Sequence, residues 1–289
     1  MTWGWGIIDN RISFIFEQDG KTIKTHSNNP EDFYIVDYEG IYASDYEFIT
    51  ASAPHFDGAF TERHRVLPRY ITITIDCEQS NRDFVLRFFK PKHTGRLTVL
   101  INDTARQIYY NVDRFKILTT NAYRNPMRFT VRLFCADPYF QAIDDFGQDI
   151  AAVMPLEAFP WVEEVGMDIL SDYRVFSSQT IINNNGDIPI GLRIEFLARG
   201  QVQNPFIIME DGQKLKVITD MSPGDLLHMN TIPGSKSIML NDANIIHKID
   251  RSSKFTQLAP GRNLLTYGAD IGLQHLHVRL FFRPLFLGV

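Results

Sequence analysis

The sequence predicts a mainly β protein of two domains, with one helix in the first. Three observations predict it. The chain has 289 residues, and at roughly 150 residues per domain that length suits about two. Apolar and polar side chains alternate at period 2 through several stretches of the first half, the mark of half-buried strands. From residue 173 onward, short β-prone runs are punctuated by turn chemistry about every 8–12 residues, as in an antiparallel sandwich or barrel, and a sandwich fits best.

Charge divides the chain. Residues 1–140 hold 17 basic and 17 acidic side chains. Residues 141–172 carry Asp144, Asp145, Asp149, Glu157, Glu163, Glu164, Asp168 and Asp172 with no Lys or Arg, together with Pro155 and Pro160. Residues 173–289 hold 12 basic and 9 acidic side chains. The expected organisation is an N-terminal domain over 1–140, an acidic connector over 141–172, and a β-sandwich over 173–289. The connector reads as ordered only in part, through docking of Phe159-Pro160-Trp161.

In the first domain, Ile71-Thr72-Ile73-Thr74-Ile75 sets isoleucines on one face and threonines on the other. Leu97–Ile101, the turn Asn102-Asp103 and Gln107–Val112 read as a hairpin, and Met127–Leu133 alternates with its arginines outward. One stretch breaks the pattern. Ser80-Asn81-Arg82-Asp83 offers a capping box, Phe84, Val85, Phe88 and Phe89 recur at helical spacing, and Pro91 ends the run. The third segment offers strands at Ile181–Asn183, Gly191–Phe196, Phe206–Met209, Lys214–Val217, Leu226–Asn230, Ser237–Leu240, Asn263–Tyr267 and Leu276–Phe282. Between them lie turn sequences such as Asp211-Gly212, Ser222-Pro223-Gly224-Asp225 and Pro260-Gly261.

Composition excludes several classes. Hydrophobic residues make up 44% and charged residues 22%, near the globular average, which argues against wholesale disorder. A net charge of −5 argues against a dedicated nucleic-acid binder with a large basic face. Cys77 and Cys135 cannot build a disulfide framework, and no CxxC spacing suggests zinc. The start lacks the pattern of a signal peptide, and no apolar run approaches the 18 or so residues needed to span a bilayer. A soluble chain made in a reducing compartment is expected, with no membrane partner.

Asp57-Gly58 leading into Arg69-Tyr70-Ile71-Thr72-Ile73, the one-helix segment Asn81–Phe89, and Phe129–Phe140 running into Ala136-Asp137-Pro138-Tyr139-Phe140 together resemble the N-terminal domain of the distal tail protein (Dit) family. These are siphovirus tail components of phages of Gram-positive bacteria. Asn183-Asn184-Asn185-Gly186-Asp187-Ile188-Pro189, Asn204-Pro205, Ser222–Asp225 and Leu258–Asn263 are similar to that family's C-terminal domain. Residues 1–40 match poorly, and the connector is longer and more charged than in the family. The resemblance implies a split β-barrel-like N-terminal domain with one helix, followed by a galectin-like antiparallel β-sandwich. It also implies a structural tail-hub subunit with no enzymatic activity and no cofactor. Such a subunit forms a homo-hexamer at the virion tail tip or baseplate. Its partners would be the tail tube protein, a tail-associated hub protein and receptor-binding or baseplate proteins, with DNA only passing through the channel.

Candidate site residues are few. Asp137-Pro138-Tyr139-Phe140 must end its strand, because proline fixes its own φ and pushes Asp137 out of helical geometry. Tyr139 and Phe140 then serve either as a core plug or as a subunit contact. His275-Leu276-His277, with His247, offers imidazoles to a metal, but a site needs three or four converging ligands with support behind them, so surface or packed histidines are favoured. Neither cysteine sits in a nucleophile context, and GxSxG, HExxH, GxxxxGK[ST] and GxGxxG are all absent, so no catalytic residue is assigned. Arg63-His64-Arg65 with Arg69, and Lys90-Pro91-Lys92-His93, could face DNA or acidic neighbours, but solvated edges and turns balanced by an equal count of acids are the favoured reading. The alternative function is a carbohydrate-binding or adhesion module. Trp3, Trp5 and Trp161 all lie outside 173–289, and most phenylalanines of that segment alternate as core, which favours a scaffold role for the sandwich.

Overall fold

The computed structural model describes residues 12–27, 33–52, 55, 57–118, 126–144, 146–149, 153–154, 175–176 and 178–289. The strands are, in order, β1 (Ile12–Gln18), β2 (Lys21–Lys24), β3 (Phe33–Glu39), β4 (Tyr46–Ala51), β5 (Phe60–Val66) and β6 (Arg69–Cys77), then helix α1 (Arg82–Phe88). There follow β7 (Thr94–Ile101), β8 (Thr104–Ile117), β9 (Met127–Cys135), β10 (Phe140–Ala142), β11 (Phe146–Asp149), β12 (Val153–Met154), β13 (Val175–Phe176) and β14 (Gln179–Asn184). Next come β15 (Arg193–Ala198), β16 (Val202–Gln203), β17 (Phe206–Met209), β18 (Lys214–Lys216), β19 (Asp220–Met221) and β20 (Leu226–Asn230). The last are β21 (Ser237–Leu240), β22 (Ala243–Asn244), β23 (Gly261–Gly268), β24 (Leu276–Phe282) and β25 (Leu285–Phe286). The fold is mainly β with one α-helix among the described residues, as the sequence predicts. Two compact units form: Met1–Ile143 with Leu285–Val289, and Asp144–Pro284.

In the first unit one sheet runs β2-β1-β7-β8-β9-β6-β3, and β10 joins it by pairing with β8 and β25. The path ends on β2 and β3, so the sheet stays open rather than closing as a barrel. Its core face follows from period 2: Phe14 and Phe16, Ile71, Ile73 and Ile75, Leu97 and Val99, and Phe129, Val131 and Leu133 are all buried. Each such side chain contributes about 1.5–3 kcal/mol by leaving water. Helix α1 lays Val85 and Phe88 against this face, with Phe89 beside them. The Phe89 ring meets Phe16 edge-on at 5.4 Å and stacks on Phe115 at 5.8 Å. The expected capping box does not form: a 3-10 turn over Gln79–Asn81 precedes the helix, Asn81 makes no side-chain cap, and the Ser80 hydroxyl donates to Glu78 instead. Two residues, Asn102-Asp103, link β7 to β8, with Ile101 opposite Thr104 and Asn102 at φ 53°.

The second unit holds a six-stranded antiparallel sheet, β11-β24-β15-β20-β21-β22, and a four-stranded one, β14-β23-β17-β18. Alternate residues of both are buried, among them Ile194, Phe196, Met229, Val278 and Leu280 from the first and Ile182, Ile207, Leu215 and Leu265 from the second. This is the sandwich that the turn spacing predicts. Strand β11, inside the stretch expected to connect the domains, pairs with β24. Phe159-Pro160-Trp161, Trp3 and Trp5 lie outside the described residues.

Candidate functional site

Arg69 opens β6 and is only 3% exposed. The sequence groups it with the solvated basic edges, and the structure corrects that: Arg63, His64 and Arg65 are exposed, but Arg69 is buried. A buried guanidinium is tolerated only where its donors are met. Here Nε donates to the Pro138 carbonyl at 2.9 Å, and Nη1 to the carbonyls of Gly40 at 2.7 Å and Ala43 at 3.2 Å. Nη2 donates to the Ser44 hydroxyl and to the Leu287 carbonyl. Burial pulls the Arg69 pKa down from its ordinary value.

One side chain therefore fixes the 40–44 loop, the Asp137-Pro138 turn and the C-terminal tail. Phe140, the last of the four candidate residues, is wholly buried, its ring centre 5.0 Å from the Arg69 guanidinium carbon. Asp137 is exposed and accepts from the Tyr139 backbone N–H at 3.2 Å, while Pro138 and Tyr139 are half-buried. Of the four, Phe140 occupies the core, and Asp137, Pro138 and Tyr139 keep surface.

The tail is bound as a strand. Phe286 lies opposite Phe140, and Leu285 opposite Gln141. The Arg106 guanidinium carbon sits 3.7 Å from the centre of the Phe286 ring, and its Nη1 donates to the Gly288 carbonyl. The Val289 N–H donates to the Ile41 carbonyl at 3.2 Å. A Cβ on Gly288 would fall 1.6 Å from the Tyr42 carbonyl oxygen, so only glycine fits there.

Strands β4 and β5 form a sheet of their own, separate from the main one. The backbone N–H of Leu67 donates to the Asp45 carbonyl at 2.9 Å at its base. Nearly every described residue of the hairpin is exposed, including Tyr46, Phe48 at 62%, Ile49 and Phe60 at 54%. A lone two-stranded ribbon is marginal in water, and one that spends large apolar side chains on solvent gains little in return. Because neither face is buried, no alternation marks it in the sequence.

The face of the main sheet opposite its core carries charge pairs beside the exposed rings of Tyr70 and Tyr109. Arg128 grips Asp76 by two bonds, at 2.7 and 2.8 Å. Arg132 pairs with Asp113 at 2.5 Å, and Arg96 Nε with Glu17 at 2.6 Å. Thr74 and Thr130 share a hydroxyl–hydroxyl bond at 3.0 Å.

The histidine pair separates. His275 lies in a 3-10 turn over Leu273–His275, and His277 lies on β24. Among the described residues no three His, Cys, Asp or Glu side chains gather to hold a metal ion. Cys77 and Cys135 are buried, and burial pushes both thiols up to about 12. Among the described residues no helix is long and apolar enough to cross a membrane.

Residues 185–285 match the family model of the siphovirus-type tail component, C-terminal domain. Among solved structures, the SPP1 Dit (gp 19.1) protein, described as a paradigm of the hub adsorption apparatus in Gram-positive infecting phages, matches at a TM-score of 0.67 and 13% identity, covering 95% of this chain and 99% of that one. The phage P2 baseplate in its activated conformation with Ca matches at a TM-score of 0.46 and 8% identity, over 94% and 98%. No curated protein matches the sequence. The resemblance to the distal tail family read from the motifs is borne out, by the family match in the second unit and by the fold along nearly the whole chain.

Proposed function

We propose that this chain is a structural subunit of a siphovirus-type phage tail, placed at the distal end where tail tube meets baseplate. The family match over 185–285 carries this reading, and the shared fold with SPP1 Dit supports it. On this reading the first unit assembles with copies of itself into a hexameric ring, and the galectin-like sandwich carries receptor-binding or baseplate proteins. The tail tube protein and a tail-associated hub protein stack on the ring. The work is mechanical and involves no catalysis or cofactor.

Two features of the first unit suit such a ring. The 46–66 hairpin exposes apolar side chains that a neighbouring copy would cover, and a ring repeats that contact head to tail until it closes. On the outward face of the main sheet Arg128, Arg132 and Arg96 pair with acids across the strands, while Arg114 and Lys116 stay exposed. Phosphates bind where cations are unpaired, so pairing most of its cations would weaken the grip of a lumen lined by this face on DNA.

The test is direct. Electron microscopy of particles carrying the chain should place residues 1–140 around a channel at the tail end. Particles in which that domain points outward and lines no channel would overturn the proposal.

A further inference from the structure

Asn185-Gly186 is the one Asn-Gly dipeptide of the chain, and it sits in the turn that leaves β14. Asn185 is exposed, whereas Asn184 and Gly186 on either side of it are buried. Asn184 is only 1% exposed, and its whole amide is engaged. Nδ2 donates to the carbonyls of Ile188 at 3.0 Å and Leu258 at 3.2 Å, and Oδ1 accepts from the Gly186 N–H at 3.0 Å. Leu258 exchanges two backbone bonds with Ile190, at 2.8 and 3.0 Å. Asn183 Nδ2 donates to Asn185 Oδ1 at 2.6 Å. The side chain that ties the turn therefore stands beside the Asn-Gly pair and holds its backbone nitrogen.

We infer that Asn185-Gly186 is a latent self-modification site, closed in the native fold by the Asn184 carboxamide and exposed to reaction when this turn opens. An asparagine followed by glycine reacts without any enzyme. The Gly186 backbone nitrogen gives its proton to solvent and attacks Asn185 Cγ. A new N–Cγ bond forms, the Cγ–Nδ2 bond breaks, and Nδ2 takes a proton from solvent and leaves as ammonia. Water then opens the resulting five-membered succinimide at either carbonyl, giving aspartate or isoaspartate. Water is the only co-reactant. Glycine favours the attack because no Cβ crowds its nitrogen.

The lock acts on the nucleophile. Attack needs the deprotonated nitrogen, and a hydrogen bond to an acceptor favours the protonated form of an N–H. Asn184 Oδ1 supplies that bond from a buried position, where the low local dielectric strengthens it. Asn183 acts in the opposite sense: its donor on Asn185 Oδ1 draws electron density from Cγ and readies the electrophile. Release of the Gly186 nitrogen is then the gate. Opening the turn breaks the Asn184 bonds to Ile188 and Leu258, so reaction in folded protein reports local unfolding at the end of β14. Isoaspartate lengthens the backbone between Asn184 and Ile188, the span that the Asn184 Nδ2 bond closes. A turn once modified stays loosened.

This inference goes beyond the tail reading and does not depend on it. The full chain is incubated at mildly alkaline pH, folded in buffer or unfolded in guanidinium chloride. Peptide mapping by mass spectrometry then follows the conversion of Asn185 to aspartate and isoaspartate. Folded wild type should convert at least about tenfold more slowly than the unfolded chain. Denaturant below the unfolding transition should speed the folded reaction, because it raises the open fraction. Asn184→Ala, with its fold followed by circular dichroism, should convert at least about tenfold faster than wild type in buffer. Should that variant fail to fold, hydrogen exchange on wild type decides, and the Gly186 amide should be protected although Asn185 beside it is exposed. Three results each overturn the inference: equal conversion of folded and unfolded wild type, a folded Asn184→Ala that converts at the wild-type rate, or an unprotected Gly186 amide in the native chain.

Discussion

Arg69 and Pro138 are joined by a 2.9 Å hydrogen bond from Nε to the proline carbonyl, and the same guanidinium reaches Leu287 near the chain's end. Its charge and planar fork are spent on four backbone carbonyls and the Ser44 hydroxyl. Arg69→Ala strands those acceptors and uncovers the Phe140 ring. The expected loss is about 3 kcal/mol or more in urea unfolding, since bonds to a charged donor contribute about 1.5–3 kcal/mol each and are not additive. Arg69→Lys should recover only a minor part, because a lysine ammonium cannot reproduce the fork. Wild-type stability in either variant would show that the tail and the turn hold without it.

The C-terminal tail should be detachable by a single methyl group. Gly288→Ala places a Cβ against the Tyr42 carbonyl, where nothing can yield but backbone. Displacement should cost about 1–3 kcal/mol, as overpacking does. Hydrogen exchange read by mass spectrometry should show the Leu285–Val289 amides of the variant exchanging faster than those of wild type. Equal rates would mean that the tail shifts without leaving.

Phe88 is 3% exposed and lies on the buried stripe of α1, whereas Leu86 on the same helix is 40% exposed. Phe88→Ala should cost about 3–5 kcal/mol, and Leu86→Ala should stay within about 0.5 kcal/mol. Equal effects in equilibrium unfolding would mean that the stripe does not hold the helix.

The contrast between these residues explains what the sequence made legible. Strands with one face buried announce themselves: Phe206–Met209, Leu226–Asn230, Ser237–Leu240 and Leu276–Phe282 are read with their observed bounds, because period 2 and turn residues are local signals. The helix is read from Phe84, Val85, Phe88 and Phe89, but the capping box is not observed, since the preceding 3-10 turn takes the Ser80 hydroxyl elsewhere. Strand β1 alternates Ile12, Phe14 and Phe16 inward, yet Ile15 on the outer face blurs the period. Arg69 is invisible because its burial is set by partners 25 to 218 positions away.

Both thiols are held up by burial, at about 12 against an ordinary 9.0. A folded-state pKa above the unfolded value means that the native state keeps its protons longer. Stability from this source is present below about pH 9 and is lost as pH rises toward 12. Denaturation midpoints should therefore fall between pH 9 and 11. A chromogenic disulfide reagent at pH 8 should react with neither cysteine in folded protein and with both after unfolding. Rapid native reactivity would place a thiol at the surface.

The hairpin tests the assembly reading most sharply, because its large apolar side chains are exposed. Phe48 and Phe60 are 62% and 54% exposed on a ribbon outside the main sheet. Neither belongs to the core of the main sheet, so Phe48→Glu and Phe60→Glu should change unfolding free energy by no more than about 0.5 kcal/mol. A neighbouring subunit that covers these rings would instead have to bury an unpaired carboxylate, which costs several kcal/mol at every repeat of a closed ring. Wild-type chains of 33.3 kDa should assemble toward about 200 kDa as a six-fold ring, alone or on a tail template, and both variants should remain monomeric under the same conditions. Light scattering reads the first case, and incorporation into tail particles, scored by gel and electron microscopy, reads the second. Assembly of both variants at the wild-type level would move the subunit contact away from the hairpin, to the open edges at β2 and β3.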